Sequence, residues 1–137
     1  MTEVRVFHDV PGRAAAVFRA FTDADLLRTW WWPHLPDATY AVDPVPGGEI
    51  AVASPGAGIG FRGAFVEVTA PTRLAFTWTW VDDPETDTVE VVMTPLTPDT
   101  TRVLVTHTCS SDSAAGLEQG WSDVLGRLAA RPISQAR

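Results

Sequence analysis

The sequence predicts an α+β domain, a curved antiparallel β-sheet of about seven strands wrapped around one long C-terminal helix. Two short helices are expected between the first two strands. Short segments rich in β-branched and aromatic residues recur from Tyr40 to Thr108, separated by turns containing Gly and Pro. One apolar stripe at helical spacing then closes the chain, through Leu117, Trp121, Val124, Leu125 and Leu128. The 137 residues contain no linker, repeat or low-complexity segment, so 1–137 reads as a single domain.

The elements follow in order. Glu3 to His8 alternates, with Val4 and Val6 on one face and Arg5 and Phe7 on the other, as a half-buried strand does. Pro11-Gly12 breaks it, and Val17, Phe18 and Phe21 mark a short helix of about ten residues. Asp23 is placed to cap a second short helix from Ala24 to about Trp31, which Pro33 stops. Strands are expected at Tyr40–Asp43, Glu49–Ala53, Phe61–Val68, Arg73–Trp80, Thr88–Thr94 and Thr101–Thr108, joined by short turns into a meander. Ser111 or Asp112 is expected to cap the last helix, Pro132 to end it, and "ISQAR" to fray. Gly116 and Gly120 lie one turn apart in that helix, a spacing that lets it approach the sheet closely. One helix cannot fill a wide concave sheet, so a cavity between the two is expected.

Composition excludes several function classes. The net charge of −7 argues against nucleic acid or an anionic membrane as partner. There is no lysine in the chain, which rules out Schiff-base catalysis and the lysine-dependent phosphate loop. No apolar run has the length of a membrane span, and "MTEVRVFHDV" reads as a strand rather than a signal peptide. With the single Cys109, this makes the cytoplasm the expected location.

Strand parity sorts the interior. Leu74, Phe76, Trp78 and Trp80 share one face; Val89, Val91 and Met93 share another. Val103, Val105 and His107 lie together on the next strand, so His107 is expected to point inward, under the Leu117/Trp121 stripe. An apolar, aromatic interior with few polar groups is the usual make-up of a small-molecule site.

The ordered segments "VFRAFTDADLLRTWWWP", "DPVPGGEI", "GAFVEVTAPTRLAFTWTW", "TRVLVTHT" and "GLEQGWSDVLGRLAA" resemble the activator of heat shock protein 90 ATPase homologue family. That family lies within the START/birch-pollen-allergen-like (SRPBCC) superfamily. The resemblance runs from about Val4 to Ala130. It implies a helix-grip fold with a hydrophobic cavity between sheet and C-terminal helix. The family pattern Trp-Trp-Gly-Pro falls on Trp30-Trp31-Trp32-Pro33, with Trp32 in place of the glycine. Trp30 and Trp31 are expected to anchor the second helix at the rim of the sheet, and Trp32 to form a lid or a homodimer contact.

The candidate chemical motifs are few. His107 is the one candidate acid or base, though no partner for it is fixed by the sequence; the alternative is a hydrogen-bonded core histidine. Cys109 with His107 and His34 matches no zinc spacing, so no metal is expected and Cys109 reads as a small apolar filler. Gly58, Gly60 and Gly63 spell G-x-G-x-x-G, but they lead into a strand rather than a helix, so a dinucleotide loop is rejected and no cofactor is expected. "DDPETD", from Asp82 to Asp87, reads as a solvated hairpin. Glu67 and Glu118 are isolated, and no G-x-S-x-G elbow occurs.

The expectation is a domain that binds a hydrophobic small molecule in its cavity without catalysing a reaction. Trp30, Trp78, Trp80, Met93, His107, Leu117 and Trp121 are expected to line the site, with Phe65 and Trp32 beside them. A polyketide cyclase or aromatase using His107 is the alternative in the same cavity, and a chaperone-associated binding module is the third.

Overall fold

The computed structural model describes residues 1–130. The expected stop at Pro132 and the "ISQAR" tail lie outside the described residues. Strand β1 (Thr2–Pro11) leads to helices α1 (Ala14–Thr22) and α2 (Ala24–Leu27). Strands β2 (Thr39–Val42), β3 (Glu49–Ser54), β4 (Ile59–Thr69), β5 (Arg73–Trp80), β6 (Asp87–Thr97) and β7 (Thr100–Cys109) follow, then helix α3 (Ala114–Ala130). The seven strands form one sheet in the order β1-β7-β6-β5-β4-β3-β2. Every pairing is antiparallel. This is the helix-grip arrangement that the sequence predicts: a curved sheet, a closing helix and two short helices after β1. Among the described residues, no helix is long and apolar enough to cross a membrane.

Hydrophobic period builds each layer. β1 places Val4 and Val10 inward and leaves Arg5, Phe7 and Asp9 exposed. Leu74, Phe76 and Trp78 of β5, Val89, Val91 and Met93 of β6, and Val103, Val105 and His107 of β7 are all buried, which matches their strand parity. Helix α3 buries Leu117, Trp121, Val124, Leu125 and Leu128 against that face. α1 buries Ala16, Val17, Phe18, Ala20 and Phe21.

Two helix boundaries differ from expectation. Asp23 caps α2 as its position predicts, its carboxylate accepting from the amides of Asp25 at 2.9 Å and Leu26 at 3.3 Å. However, α2 ends at Leu27 rather than near Trp31. The amides of Thr29 and Trp30 reach back only three residues, to Leu26 and Leu27, so the chain tightens into turns before Pro33. At α3, neither Ser111 nor Asp112 serves as the expected cap. Ser111–Ser113 forms a 3-10 turn that feeds directly into the helix.

The three glycines of the rejected motif have separate structural duties. Gly58 closes a turn with φ of 68°, where a side chain is disfavoured. Gly63 lies against β5 so closely that a Cβ there would sit 1.7 Å from the Thr77 carbonyl oxygen. There the Thr77 hydroxyl enters the ladder, accepting from the Ala64 amide at 2.9 Å. Gly63→Ala is therefore expected to lose about 3 kcal/mol or more of stability, or to fail to fold. Chemical denaturation of the variant checks this.

Candidate functional site

The three consecutive tryptophans point in different directions, and each does a different job. Trp30 is buried beneath α1, donating its indole N–H to the Ala20 carbonyl at 3.1 Å and meeting Phe21 edge-on at 4.9 Å. Trp31 turns into the domain. Its ring meets Trp121 edge-on at 5.1 Å and lies beside Phe61 at 5.5 Å and Trp78 at 6.1 Å. Trp32 stays partly exposed, edge-on to Trp31 at 6.2 Å. The loop is tied down from below: the Tyr40 hydroxyl donates to the Trp31 carbonyl, and Arg127 of α3 donates to the Trp30 carbonyl at 3.1 Å. Asp37 anchors its far end, accepting from the Ser54 hydroxyl at 2.5 Å and the Gly56 amide at 2.6 Å.

Trp32 has φ of 51°, and it is the one non-glycine residue in the left-handed region among the described residues. That conformation costs an L side chain about 1–2 kcal/mol. A glycine, which the Trp-Trp-Gly-Pro pattern has at this place, would adopt it freely.

Between this loop, the end of β5 and the first half of α3 lies a pocket of about 360 Å³. Trp31, Trp32, Trp78 and Trp80 form one wall; Ser113, Gly116, Leu117, Gly120, Trp121 and Val124 form the other. Five of the six tryptophans of the chain therefore surround one space. Trp78 is fixed within its wall by stacking on Phe61, with rings 3.6 Å apart and 6° from parallel. None of the lining residues is ionisable. The indole N–H groups of Trp31 and Trp78 are buried without a hydrogen-bond partner.

His107 is fully buried and does not line this pocket. The Trp121 indole donates to its Nδ1 at 3.0 Å, and its Nε2 lies 2.8 Å from Asp87 Oδ2. An Nδ1 that accepts is unprotonated, so Nε2 carries the hydrogen and donates to the carboxylate. Both ring nitrogens are thus engaged, and the Trp121 ring stands between His107 and the pocket. Burial pushes the His107 pKa below its ordinary value, against the upward pull of Asp87. The imidazole is held neutral, in the form that the Trp121 hydrogen bond requires.

Of the residues expected at the site, Trp32, Trp78, Trp80, Leu117 and Trp121 line the pocket, whereas Trp30, Phe65, Met93 and His107 do not. Parity fixes which face a side chain joins, but not where along the strand it lies. Met93 is six residues along β6 from the pocket end, and Phe65 pairs with Phe76, one inward position past Trp78. Trp31, expected as an anchor, also forms part of the pocket wall. Asp87, expected in the solvated turn, is instead buried against His107, while Asp82, Asp83 and Glu85 are exposed as expected. Its signal was available, since Asp87 continues the inward parity of Val89, Val91 and Met93. Gly116 and Gly120 are not close-approach positions: a Cβ at either would meet nothing within 4 Å. Cys109 is buried and its thiol pKa is raised, chiefly by desolvation, as suits an inert filler. Among the described residues, no group of three or more His, Cys, Asp or Glu side chains is placed to hold a metal ion.

The sequence profile described as Activator of Hsp90 ATPase homolog 1-like protein matches residues 12–131. The chain belongs to that family. Solved structures similar to this Activator of Hsp90 ATPase homolog 1-like chain include DynU16, a protein in the dynemicin biosynthetic locus. It is 26% identical with a TM-score of 0.79 over 93% of this chain, which spans 45% of DynU16. A protein from Rhizobium loti is 27% identical with a TM-score of 0.76, covering 94% of this chain and 95% of its own. An HSP90 activator from Plasmodium falciparum shares the fold at 20% identity and a TM-score of 0.73, with 93% and 94% covered. No curated protein matches the chain by sequence.

The Trp121–His107–Asp87 line makes stability depend on pH. The unfolded chain protonates His107 near its ordinary value of 6.5, whereas the folded chain resists until a lower pH. Between those two values the unfolded state binds the extra proton, so stability falls as pH drops below about 6.5. The melting temperature of the native chain is expected to fall between about pH 7 and pH 5, and His107→Gln to flatten that part of the profile. The carboxylates of Asp9, Asp37 and Glu67 have lowered pKa values, through hydrogen bonds to Arg102, Ser54 and Arg73 respectively. Their contribution is lost in a separate window, below the ordinary carboxylate range. Trp121→Phe, which strands Nδ1 without a donor, is expected to cost about 1–3 kcal/mol in denaturant titration.

Proposed function

We propose that this chain binds an uncharged, hydrophobic small molecule in the pocket between the first half of α3 and the tryptophan end of the sheet. The supporting observation is the composition of the lining: five tryptophan rings with Leu117 and Val124, and no ionisable side chain. The volume of about 360 Å³ suits a small ligand. The aromatic faces supply burial and stacking. The Ser113 hydroxyl is the polar side chain on the helix side of the pocket, and it takes the orienting role expected of His107. His107 and Asp87 act behind the wall as positioning residues for Trp121.

Binding without chemistry is the reading we favour over a cyclase. A cyclase needs an acid or base in contact with its substrate, and the one candidate histidine has both nitrogens occupied behind Trp121. The place of DynU16 in a biosynthetic locus supports a ligand that is a product or intermediate of biosynthesis. A chaperone-associated role rests on the family description, and a dimer through Trp32 competes with the pocket for the same side chain.

Tryptophan fluorescence tests the reading directly, because five of the six rings surround the pocket. Titration with a panel of neutral aromatic and aliphatic compounds is expected to give saturable quenching or a spectral shift with at least one of them. At a hundredfold excess over Kd, the bound compound should add about 2.7 kcal/mol of stability, a rise in Tm of roughly 5–10 °C. No saturable response and no thermal shift across the panel would overturn the proposal.

A further inference from the structure

Three residues of the pocket wall run against local backbone preference. Trp32 holds φ of 51°, where an L side chain crowds its own backbone. Gly116 and Gly120 sit inside α3, where glycine is the least favoured residue after proline. Packing accounts for neither glycine. Both are exposed, and a Cβ added to either meets nothing within 4 Å. The space left by their missing side chains is open, and both residues line the pocket, as does Trp32. Local disadvantage at three positions thus converges on one place, which is the pattern of a site shaped by its ligand.

The shape of that site points to a ligand class. The α3 wall exposes bare backbone at Gly116 and Gly120, flanked by Leu117, Trp121 and Val124; the facing wall is Trp31, Trp32, Trp78 and Trp80. A slot between backbone and ring faces rewards a flat π-system, which can stack along its whole area. A flexible alkyl chain gains no stacking and loses rotamer freedom on entry. A charged group would be stripped of water without a counter-ion in the lining.

We propose that the pocket selects a flat, uncharged aromatic ring system, slotted between the glycine face of α3 and the tryptophan wall, and that Trp32, Gly116 and Gly120 determine this specificity. The proposal rests on the pocket being a binding site, and its test separates the two. Acridone (flat and neutral), dodecanol (flexible and neutral) and dodecanoate (flexible and charged) are titrated into the full chain by calorimetry and fluorescence. Acridone is expected to bind at least about tenfold more tightly than either chain compound. Gly120→Leu, which fills the slot, and Trp32→Gly, which removes the lid ring, should each weaken acridone at least about tenfold.

The Gly116→Ala/Gly120→Ala variant supplies a readout that needs no ligand. It is expected to melt above the native chain, because alanine favours the helix and its methyl groups enter open space. A lower melting temperature would mean that the glycines serve the fold, and would overturn their assignment to specificity. Tighter binding of dodecanol or dodecanoate than of acridone overturns the proposed ligand class while the pocket stands as a binding site. If none of the three binds, the ligand class falls, and the wider fluorescence panel decides whether the pocket reading falls with it.

Discussion

A line of hydrogen bonds from helix to sheet fixes the rest of the site. The Trp121 indole donates to His107 on β7, and His107 donates to Asp87 at the start of β6. The line is buried, so it can close only with α3 at one rotation about its axis. At that rotation, Leu117, Val124, Leu125 and Leu128 turn into the core while Gly116 and Gly120 face the pocket. A shift of one residue in α3 would strand two polar atoms away from water, Trp121 Nε1 and His107 Nδ1, each a penalty of about 1–3 kcal/mol. The polar network therefore serves alignment. It does its work by making every neighbouring arrangement of the helix worse.

The architecture was legible because it rests on periodicities. Strand alternation and the α3 stripe are read along the chain, and their inward faces survive folding unchanged. The site was legible only in part, for two physical reasons. Parity assigns Met93, Phe65 and Trp78 to the same concave surface, but it carries no information about distance along a strand. The pocket occupies one end of that surface and so excludes residues with the right parity and the wrong position. The second reason concerns hydrogen bonds between distant segments. Asp87 looks like part of an acidic turn by composition, and only strand parity marks it as inward. Its partner lies twenty residues away, so no local pattern joins them.

Gly116 and Gly120 show how the same residues support opposite meanings. Small residues one turn apart ordinarily let a helix come close to its neighbour. Here the open space around both removes that explanation and leaves the hollow itself as their effect. Trp32 is the counterpart on the other wall, a large ring held where glycine would be at ease. One wall is emptied and the other is built up, each at the expense of local backbone preference. The resulting asymmetry sets two backbone gaps in the α3 wall opposite four rings.

The clustering of rings also has an optical consequence. Trp31 lies 5.1 Å from Trp121 and 6.1 Å from Trp78, and Trp78 lies 5.1 Å from Trp80. At such separations the excited states of neighbouring indoles couple, and excitation absorbed by one ring migrates to the others. The near-ultraviolet circular dichroism of the folded chain is then a property of the ring assembly, with its sign set by the angles between the rings. Emission is drawn toward the partly exposed rings at the mouth, Trp32 and Trp80. The wall that shapes the pocket is thereby a built-in antenna, whose spectrum records the relative orientation of loop, sheet and helix.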